Sequence, residues 1–262
     1  MCLALIAFAA HPRYRLVIAA NRDEFHARPA APAAWWTEGF LAGRDLKEGG
    51  TWLGIDRRGR VALLTNVRDP SQHDPRAPSR GALVPRLLAS NAAPSESLPA
   101  LVRDAARYNG YNLLAGDAGT LMWGSNRAAA PVELGPGIYG VSNHLLDTPW
   151  PKVEHTKRAF RQWCAAGADD LAPLFALLHD TERAPDAMLP ATGVTLERER
   201  MLSSPFIVSP DYGTRCSTVV TVEHDGAAHF IERSFDPDGS ATGEIDVRFS
   251  VDQPAGAQRR GP

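Results

Sequence analysis

The chain has 262 residues, of which 44% are hydrophobic and 22% are charged, and its formal net charge is −2 at pH 7. This length suits one large domain or two small ones, and the composition is ordinary for a soluble globular protein. A net charge so close to zero gives no indication of a nucleic-acid-binding surface.

The N-terminal segment is apolar from Cys2 to Ala10, and no basic stretch precedes it. It is too short for a membrane helix, and its flanks are wrong for a signal peptide, so it predicts a buried strand in a cytoplasmic protein without a transmembrane segment. The three cysteines Cys2, Cys164 and Cys216 show no CxxC spacing. We therefore expect reduced thiols, no disulfide framework and no metal site, with Cys164 and Cys216 structural.

Four pairs of short apolar runs, each pair joined by polar or turn residues, predict four β-hairpins. In chain order these runs are residues 3–8 with 16–20, 51–55 with 61–66, 112–115 with 121–123, and 217–222 with 228–233. A further edge strand is predicted between residues 235 and 251. Apolar residues at helical spacing predict helices at residues 81–90, 98–108, 151–166 and 169–178.

Hairpins at both ends of the chain and helices in the middle predict two antiparallel sheets with helices packed outside them. This is an α+β fold, and we expect it to form a single domain over residues 1–251. The last residues, 252–262, are polar and rich in Gly and Pro, and we expect them to be disordered.

Five short polar clusters lie at the ends of the predicted strands. They are Cys2, residues 21–24 (Asn-Arg-Asp-Glu), 65–68 (Thr-Asn-Val-Arg), 142–143 (Ser-Asn) and 212–215 (Tyr-Gly-Thr-Arg). One such cluster alone is typical of a solvated turn. Five of them indicate a functional site, because strand ends and loops are where binding and catalytic residues concentrate.

The same clusters sit inside longer blocks that resemble a known family. These blocks are ANRDEF at residues 20–25 with Arg28-Pro29, GGTWLGI at 49–55, YNGYNL at 108–113, YGVSN at 139–143 with LDTPW at 146–150, and YGTR at 212–215. On these blocks the chain is identified as a member of the NRDE family, also called the transport and Golgi organisation protein 2 family. The resemblance implies a four-layer αββα sandwich of the N-terminal-nucleophile hydrolase type.

That family is similar to cysteine-type N-terminal-nucleophile hydrolases, such as bile-salt hydrolases and penicillin V acylases. In those enzymes Met1 is removed and the new N-terminal cysteine attacks an amide. The resemblance implies Cys2 as nucleophile and its own α-amine as base, since that amine has a pKa near neutrality. A retained Met1 would cap the amine and remove the base.

The remaining catalytic parts follow from the same resemblance. Asp23 would hold the amine, and Arg22 or Arg215 would favour the thiolate. Asn66 and Asn143 would donate to the oxyanion. Arg22 and Asp23 are adjacent here, whereas they are separated in the hydrolases, and neighbouring residues of a strand point to opposite faces.

A second function is implied by the family's association with haem movement and with acyl-CoA and lipid homeostasis. It is a carrier that needs no resident cofactor and takes haem or an acyl-CoA-like molecule as cargo in an apolar cleft between the sheets. The candidate ligand-binding residues are Asn21, Arg22, Glu24, Trp35, Trp36, His144 and Arg215. The two tryptophans are either core anchors or the lining of a pocket mouth. We favour the carrier over the amidohydrolase; the sequence leaves the haem ligand and the oligomeric state open.

Overall fold

The computed structural model describes residues 3–117 and 119–252, with backbone only for residues 105 and 106. In chain order the strands are β1 (Leu3–Phe8), β2 (Tyr14–Phe25), β3 (Ala30–Trp35), β4 (Phe40–Asp45), β5 (Leu53–Asp56), β6 (Val61–Asn66), β7 (Tyr111–Gly116), β8 (Leu121–Ser125), β9 (Val132–Glu133), β10 (Gly137–Val141), β11 (Tyr212–Glu223), β12 (Ala227–Phe235) and β13 (Ala241–Ser250). The α-helices are α1 (Leu83–Leu88), α2 (Pro94–Arg103), α3 (Pro151–Ala165), α4 (Ala172–Leu178) and α5 (Leu196–Leu202).

The strands of these described ranges form two antiparallel sheets. The first sheet has the order β10-β1-β2-β11-β12-β13, and the second has the order β3-β4-β5-β6-β7-β8-β9. The second sheet is therefore a meander in sequence order. The first sheet joins the two ends of the chain, because β2 pairs along nearly its whole length with β11.

Strand β1 shows why the sheets and helices stack in four layers. All six of its residues are buried, and alternate side chains point to opposite faces. Ala4, Ile6 and Phe8 face the second sheet and join the core between the sheets. Leu3, Leu5 and Ala7 face α3 and α4. A strand covered on both faces needs a continuous apolar run, which is what residues 3–8 provide.

The second sheet is covered in the same way by α1 and α2. Ala62 and Leu64 of β6 pack outward against helix residues such as Leu87 and Leu98. Leu63 of the same strand faces inward, toward the first sheet. The predicted four-layer αββα sandwich is thus confirmed, and no helix in the described residues is long and apolar enough to cross a membrane.

The predicted elements correspond to observed ones, with two kinds of correction. Strands β2 and β11 extend through the polar blocks, so Asn21–Glu24 and Tyr212–Arg215 lie within paired strands instead of just beyond the strand ends. Strands β3, β4, β9 and β10 and helix α5 were not predicted. Strand β3 (AAPAAW) has a weak strand signal, because Pro is tolerated only at edges, which is where β3 lies.

The last predicted strand is observed as β13, at the edge of the first sheet. Of the tail predicted to be disordered, residues 253–262 lie outside the described residues, as do Met1 and Cys2. The single-domain boundary at residue 251 stays a prediction.

Candidate functional site

The pairing of β2 with β11 positions the Asn-Arg-Asp-Glu block. Asn21 is completely buried on the face that carries α4. Its Nδ2 donates to the carbonyl oxygens of Leu178, at 2.7 Å, and Pro205, at 2.9 Å, and its Oδ1 accepts from the Ser217 hydroxyl at 2.6 Å. Asn21 therefore ties the end of α4 and the segment around Pro205 to the sheet, and it is not among the residues that line the cavities described below.

Asp23 lies on the same face as Asn21. The Thr214 hydroxyl donates to Asp23 Oδ1 at 2.7 Å, and the same hydroxyl oxygen accepts from the Ile207 amide at 2.9 Å. Arg22 points the other way, between the sheets, as strand alternation requires. The first described residue, Leu3, pairs with Asn21, the first residue of this block. The proposed nucleophile, Cys2, lies outside the described residues.

The Arg22 side chain is only 4% exposed and lies in the space between the sheets. Its guanidinium carbon is 4.4 Å from the centre of the Trp52 ring, and Nη2 donates to Asp45 Oδ2 at 3.3 Å. Within the described part of the chain, the buried Nη1 has no hydrogen-bond partner. This nitrogen is itself buried, so it is an unsatisfied donor within the charge network and not an atom exposed in an open cavity.

Asp45 connects Arg22 to a second arginine. Its Oδ2 accepts from Arg28 Nε at 2.5 Å, and its Oδ1 accepts from the backbone amides of Lys47 and Glu48, both at 3.0 Å. Burial alone would raise the pKa of Asp45. The hydrogen bonds from Arg28 and Glu48 and the charges of Arg28 and Arg22 outweigh burial and lower it. Asp45 is therefore a fixed carboxylate that orients both guanidinium groups.

Behind Arg22, deeper between the sheets, lies a buried acid that the sequence reasoning missed. Glu232 accepts from the Ala33 amide at 2.8 Å and from the Thr218 hydroxyl at 3.3 Å. Burial raises its pKa above the ordinary value of 4.5. Burial likewise raises the pKa of the neighbouring thiol of Cys216 far above its ordinary value, which makes this thiol unreactive. The signal for Glu232 was a charged residue inside an apolar predicted strand.

Two adjoining cavities open beside Arg22. The first has a volume of ≈ 470 Å³ and the second of ≈ 410 Å³. Both are lined by Asn66, His73, Arg80 and Asn109, so they form one cleft. Charged side chains line the first cavity: Arg22, Glu24, Arg28, Asp45, Lys47, Glu48, Asp74 and Arg80. Apolar side chains dominate the second: Phe25, Val67, Pro70, Val194, Met201, Leu202 and Tyr212.

The two predicted oxyanion donors, Asn66 and Asn143, both lie at this cleft, but they differ in their hydrogen bonds. Asn143 Nδ2 donates to the carbonyl oxygen of Asn66 at 3.1 Å, and Arg68 Nη2 donates to Asn143 Oδ1 at 3.3 Å. Arg68 also pairs with the buried Glu199 at 2.6 Å. The Asn143 amide is thus engaged within the protein, whereas the Asn66 side chain lines both cavities.

Arg215 occupies a β-bulge of β11, between Thr214 and Cys216. Its Nη1 donates to the carbonyl oxygens of Phe25, His26 and Arg28, at 3.1 to 3.4 Å. Burial, and secondarily the charge of Arg22, lowers the pKa of Arg215. The structure therefore places Arg215 as a support for the turn that carries Arg28, and it lies outside the lining of the cleft.

The remaining candidates lie apart from the cleft. Trp35 packs in the inter-sheet core against Phe249, with ring centres 5.2 Å apart. Trp36 points to the opposite face, where its Nε1 donates to the carbonyl oxygen of Ala42 at 3.0 Å. His144 is exposed and its Nδ1 lies 2.9 Å from the Thr148 hydroxyl. Trp35 packs against the inter-sheet core and Trp36 against the core under α1 and α2, so the two rings do not form one pocket mouth.

Of the sequence-predicted residues, the structure brings Arg22, Glu24, Asn66 and Asn143 to the cleft. Asp45, Arg28, Trp52 and Arg80 belong to it as well but were not predicted as site residues. Trp52 and Arg28 were signalled by the GGTWLGI and Arg-Pro blocks, whereas β4, which carries Asp45, was itself missed. Among residues 3–117 and 119–252, no group of three or more His, Cys, Asp or Glu side chains is arranged to hold a metal ion.

Comparison with known proteins adds sequence relatives over nearly the whole chain. The family model described as Transport and Golgi organisation 2 matches residues 1–237. The transport and Golgi organization protein 2 homologs of Bos taurus and Homo sapiens are 39% and 38% identical over 259 residues, covering 89% of this chain and 93% of each relative.

Among solved structures, a conjugated bile acid hydrolase from Clostridium perfringens superposes with a TM-score of 0.50. The match covers 94% of this chain and 92% of the hydrolase, at 8% identity. At that identity the likeness concerns the fold alone, and it agrees with the N-terminal-nucleophile hydrolase fold expected from the sequence.

Proposed function

Because the chain belongs to the Transport and Golgi organisation 2 family, we propose that its cleft binds a small amphiphilic anion and carries it as cargo. One observation carries this proposal: a charged cavity of ≈ 470 Å³ adjoins a largely apolar cavity of ≈ 410 Å³. Both volumes fall within the range of roughly 300–1,000 Å³ typical of small-molecule sites. The anionic group would lie beside Arg80, which lines both cavities, and the apolar body against the apolar side chains of the second cavity.

The arginines of the second cavity favour an anion over a cation. Arg22 and Arg28 line the charged cavity, and Asp45 fixes both guanidinium groups there. In the apolar cavity, three arginines (Arg68, Arg80 and Arg198) accompany one acid, Asp69. Guanidinium groups bind carboxylates and phosphates through paired hydrogen bonds, so a propionate or phosphate group would suit this wall.

Haem and acyl-CoA are the two ligand classes that this proposal covers, since each joins anionic groups to a large apolar body. The protein would bind them as cargo rather than hold them as a resident cofactor. We also place this role in the cytosol, because the described cysteines, Cys164 and Cys216, are buried unpaired thiols of the kind that reducing compartments preserve.

A second candidate is a Cys2-dependent amidohydrolase. It is favoured by the arrangement at the start of β1, where Leu3 pairs with Asn21 beside Arg22 and Asp23. In this reaction the Cys2 thiol would add to the carbonyl carbon of an amide, and the amine would leave with the thiol proton. Water would then hydrolyse the thioester to the acid and return the proton to sulfur.

Binding is tested by titrating the purified protein with haemin, read by absorbance, and with palmitoyl-CoA, read by calorimetry. Arg80→Met removes a charge shared by both cavities and should weaken binding roughly tenfold, as loss of one charge-assisted hydrogen bond does. Arg86→Met is the matched control, since Arg86 lies on the exposed face of α1 outside the cleft. Absence of saturable binding for both ligands would remove the carrier proposal.

Hydrolysis is tested on a panel of N-acyl amino acids and bile-salt-like amides. Cys2→Ser keeps a side chain of similar size but replaces the nucleophile with a far weaker one. If the protein is a hydrolase, turnover should fall to near background, while ligand binding should stay within a few-fold of wild type. Hydrolysis that survives Cys2→Ser would refute the assignment of Cys2 as nucleophile. Binding without hydrolysis would support the carrier function and exclude the hydrolase for this panel of amides.

A further inference from the structure

Strand β13 forms one edge of the first sheet. It pairs with β12 along residues 241–250, and within the described ranges no strand pairs with its other edge. Its first four residues are exposed, and from Glu244 to Ser250 its side chains alternate between exposed and half-buried. An exposed edge of ten residues offers a row of backbone amides and carbonyls to another strand, and proteins usually block such edges with Lys, Pro or like charges. Strand β13 (ATGEIDVRFS) contains neither Lys nor Pro.

The sequence of β13 is self-complementary about Val247. An antiparallel pair of two β13 strands with its two-fold axis at Val247 places residue 246 opposite 248 and residue 245 opposite 249. Asp246 then faces Arg248 twice, on the exposed face. Ile245 faces Phe249 twice, on the face that packs against the inter-sheet core. These two kinds of pair, and Val247 facing its own copy, therefore match in charge or in apolar character, while Glu244 faces Ser250.

Other positions of the axis are less favourable. An axis at Asp246 opposes two aspartates, an axis at Ile245 opposes Glu244 to Asp246, and an axis at Arg248 opposes two arginines. An axis between two residues would place exposed side chains opposite half-buried ones, since a one-residue shift exchanges the two faces of a strand. Val247 is thus the symmetric position in the charged segment that pairs opposite charges without a like-charge pair.

From this complementarity we infer that β13 is a dimerisation edge whose partner is a second copy of the same chain. The two first sheets then join into one continuous antiparallel sheet, with a two-fold axis at Val247. This surface is separate from the cleft beside Arg22, so the inference stands independently of the proposed function.

The oligomeric state of the full-length protein, measured by analytical ultracentrifugation across a concentration series, tests this inference. Wild type should form a dimer. Arg248→Asp would oppose acids at both ends of the axis and should weaken dimerisation on the order of tenfold or more. The swap Asp246→Arg with Arg248→Asp restores opposite charges and should restore the dimer. Arg161→Asp, on the exposed surface of α3, makes the same charge change away from β13 and should leave dimerisation unaffected.

A cross-linking measurement covers the case in which the charge variants fold poorly. Directly opposed strand residues have Cα atoms about 4.5–5.5 Å apart, within the range of a disulfide. Val247→Cys should therefore form an inter-chain disulfide under mild oxidation, seen on a non-reducing gel. Glu244→Cys, which lies opposite Ser250 in this register, should not. A monomeric wild type, or a dimer insensitive to Arg248→Asp and without the Val247→Cys cross-link, would overturn the inference.

Discussion

Replacing Asp45 by alanine tests whether the buried charge network holds the cleft in place. Asp45 accepts four hydrogen bonds, from the Arg22 and Arg28 side chains and the Lys47 and Glu48 amides. The Arg22 side chain is 4% exposed and the Asp45 side chain is 10% exposed. Removing the carboxylate therefore leaves the buried Arg22 guanidinium against the Trp52 ring, without the hydrogen-bond acceptor that Asp45 supplied. Breaking a buried pair in this way costs roughly 3–5 kcal/mol of unfolding free energy.

Urea unfolding followed by circular dichroism and tryptophan fluorescence measures this loss, and the matched control is Glu48→Ala. Glu48 lines the same cavity but is exposed, so its removal should change stability by no more than about 0.5 kcal/mol. If the cost comes from an orphaned Arg22, then Arg22→Met combined with Asp45→Ala should lose less than the two single variants together.

The pH dependence supplies an independent check. The pKa of Asp45 is lower in the folded protein than its ordinary value of 3.8. Its contribution to stability is therefore fully present above pH 3.8 and is lost as the pH falls through the lower folded-state value. Asp45→Ala should flatten the acid limb of the stability curve. A loss no larger than that of Glu48→Ala, or additive single and double variants, would refute the reasoning.

Three further predictions rest on other contacts. Glu232 has a raised pKa, so its ionisation should lower the stability of the wild type as the pH rises above 4.5. Glu232→Gln should reduce the difference in unfolding free energy between pH 4.5 and pH 7.5, measured by urea unfolding, and an unchanged difference would contradict this prediction. Asn21→Ala removes three buried hydrogen bonds and should cost roughly 2–4 kcal/mol in thermal unfolding, clearly more than Ser217→Ala, which removes one of them. Gly43→Ala would place a Cβ 2.3 Å from the Trp52 ring, so it should shift tryptophan emission and destabilise by about 1–3 kcal/mol, whereas Gly135→Ala has open space and should be neutral.

The sequence by itself determined the layered architecture. Continuous apolar runs such as residues 3–8 and 61–64, bounded by turn residues, predicted strands buried on both faces, and the amphipathic segments between the hairpins predicted the covering helices. The sequence also placed Arg22 and Asp23 on opposite faces of one strand, because alternation within a strand is local geometry that needs no tertiary information.

Only the tertiary structure decided which polar residues share the cleft. Arg22 contacts Asp45 because the two sheets face each other. The two residues are 23 positions apart in the sequence, so no local sequence pattern predicts their contact. Asn21 and Arg215 are polar residues in family blocks, yet their hydrogen bonds are used by backbone carbonyls of neighbouring segments. A motif shows which residue types are present, whereas packing fixes which atoms remain available to a ligand, because most buried donors are paired with acceptors inside the protein.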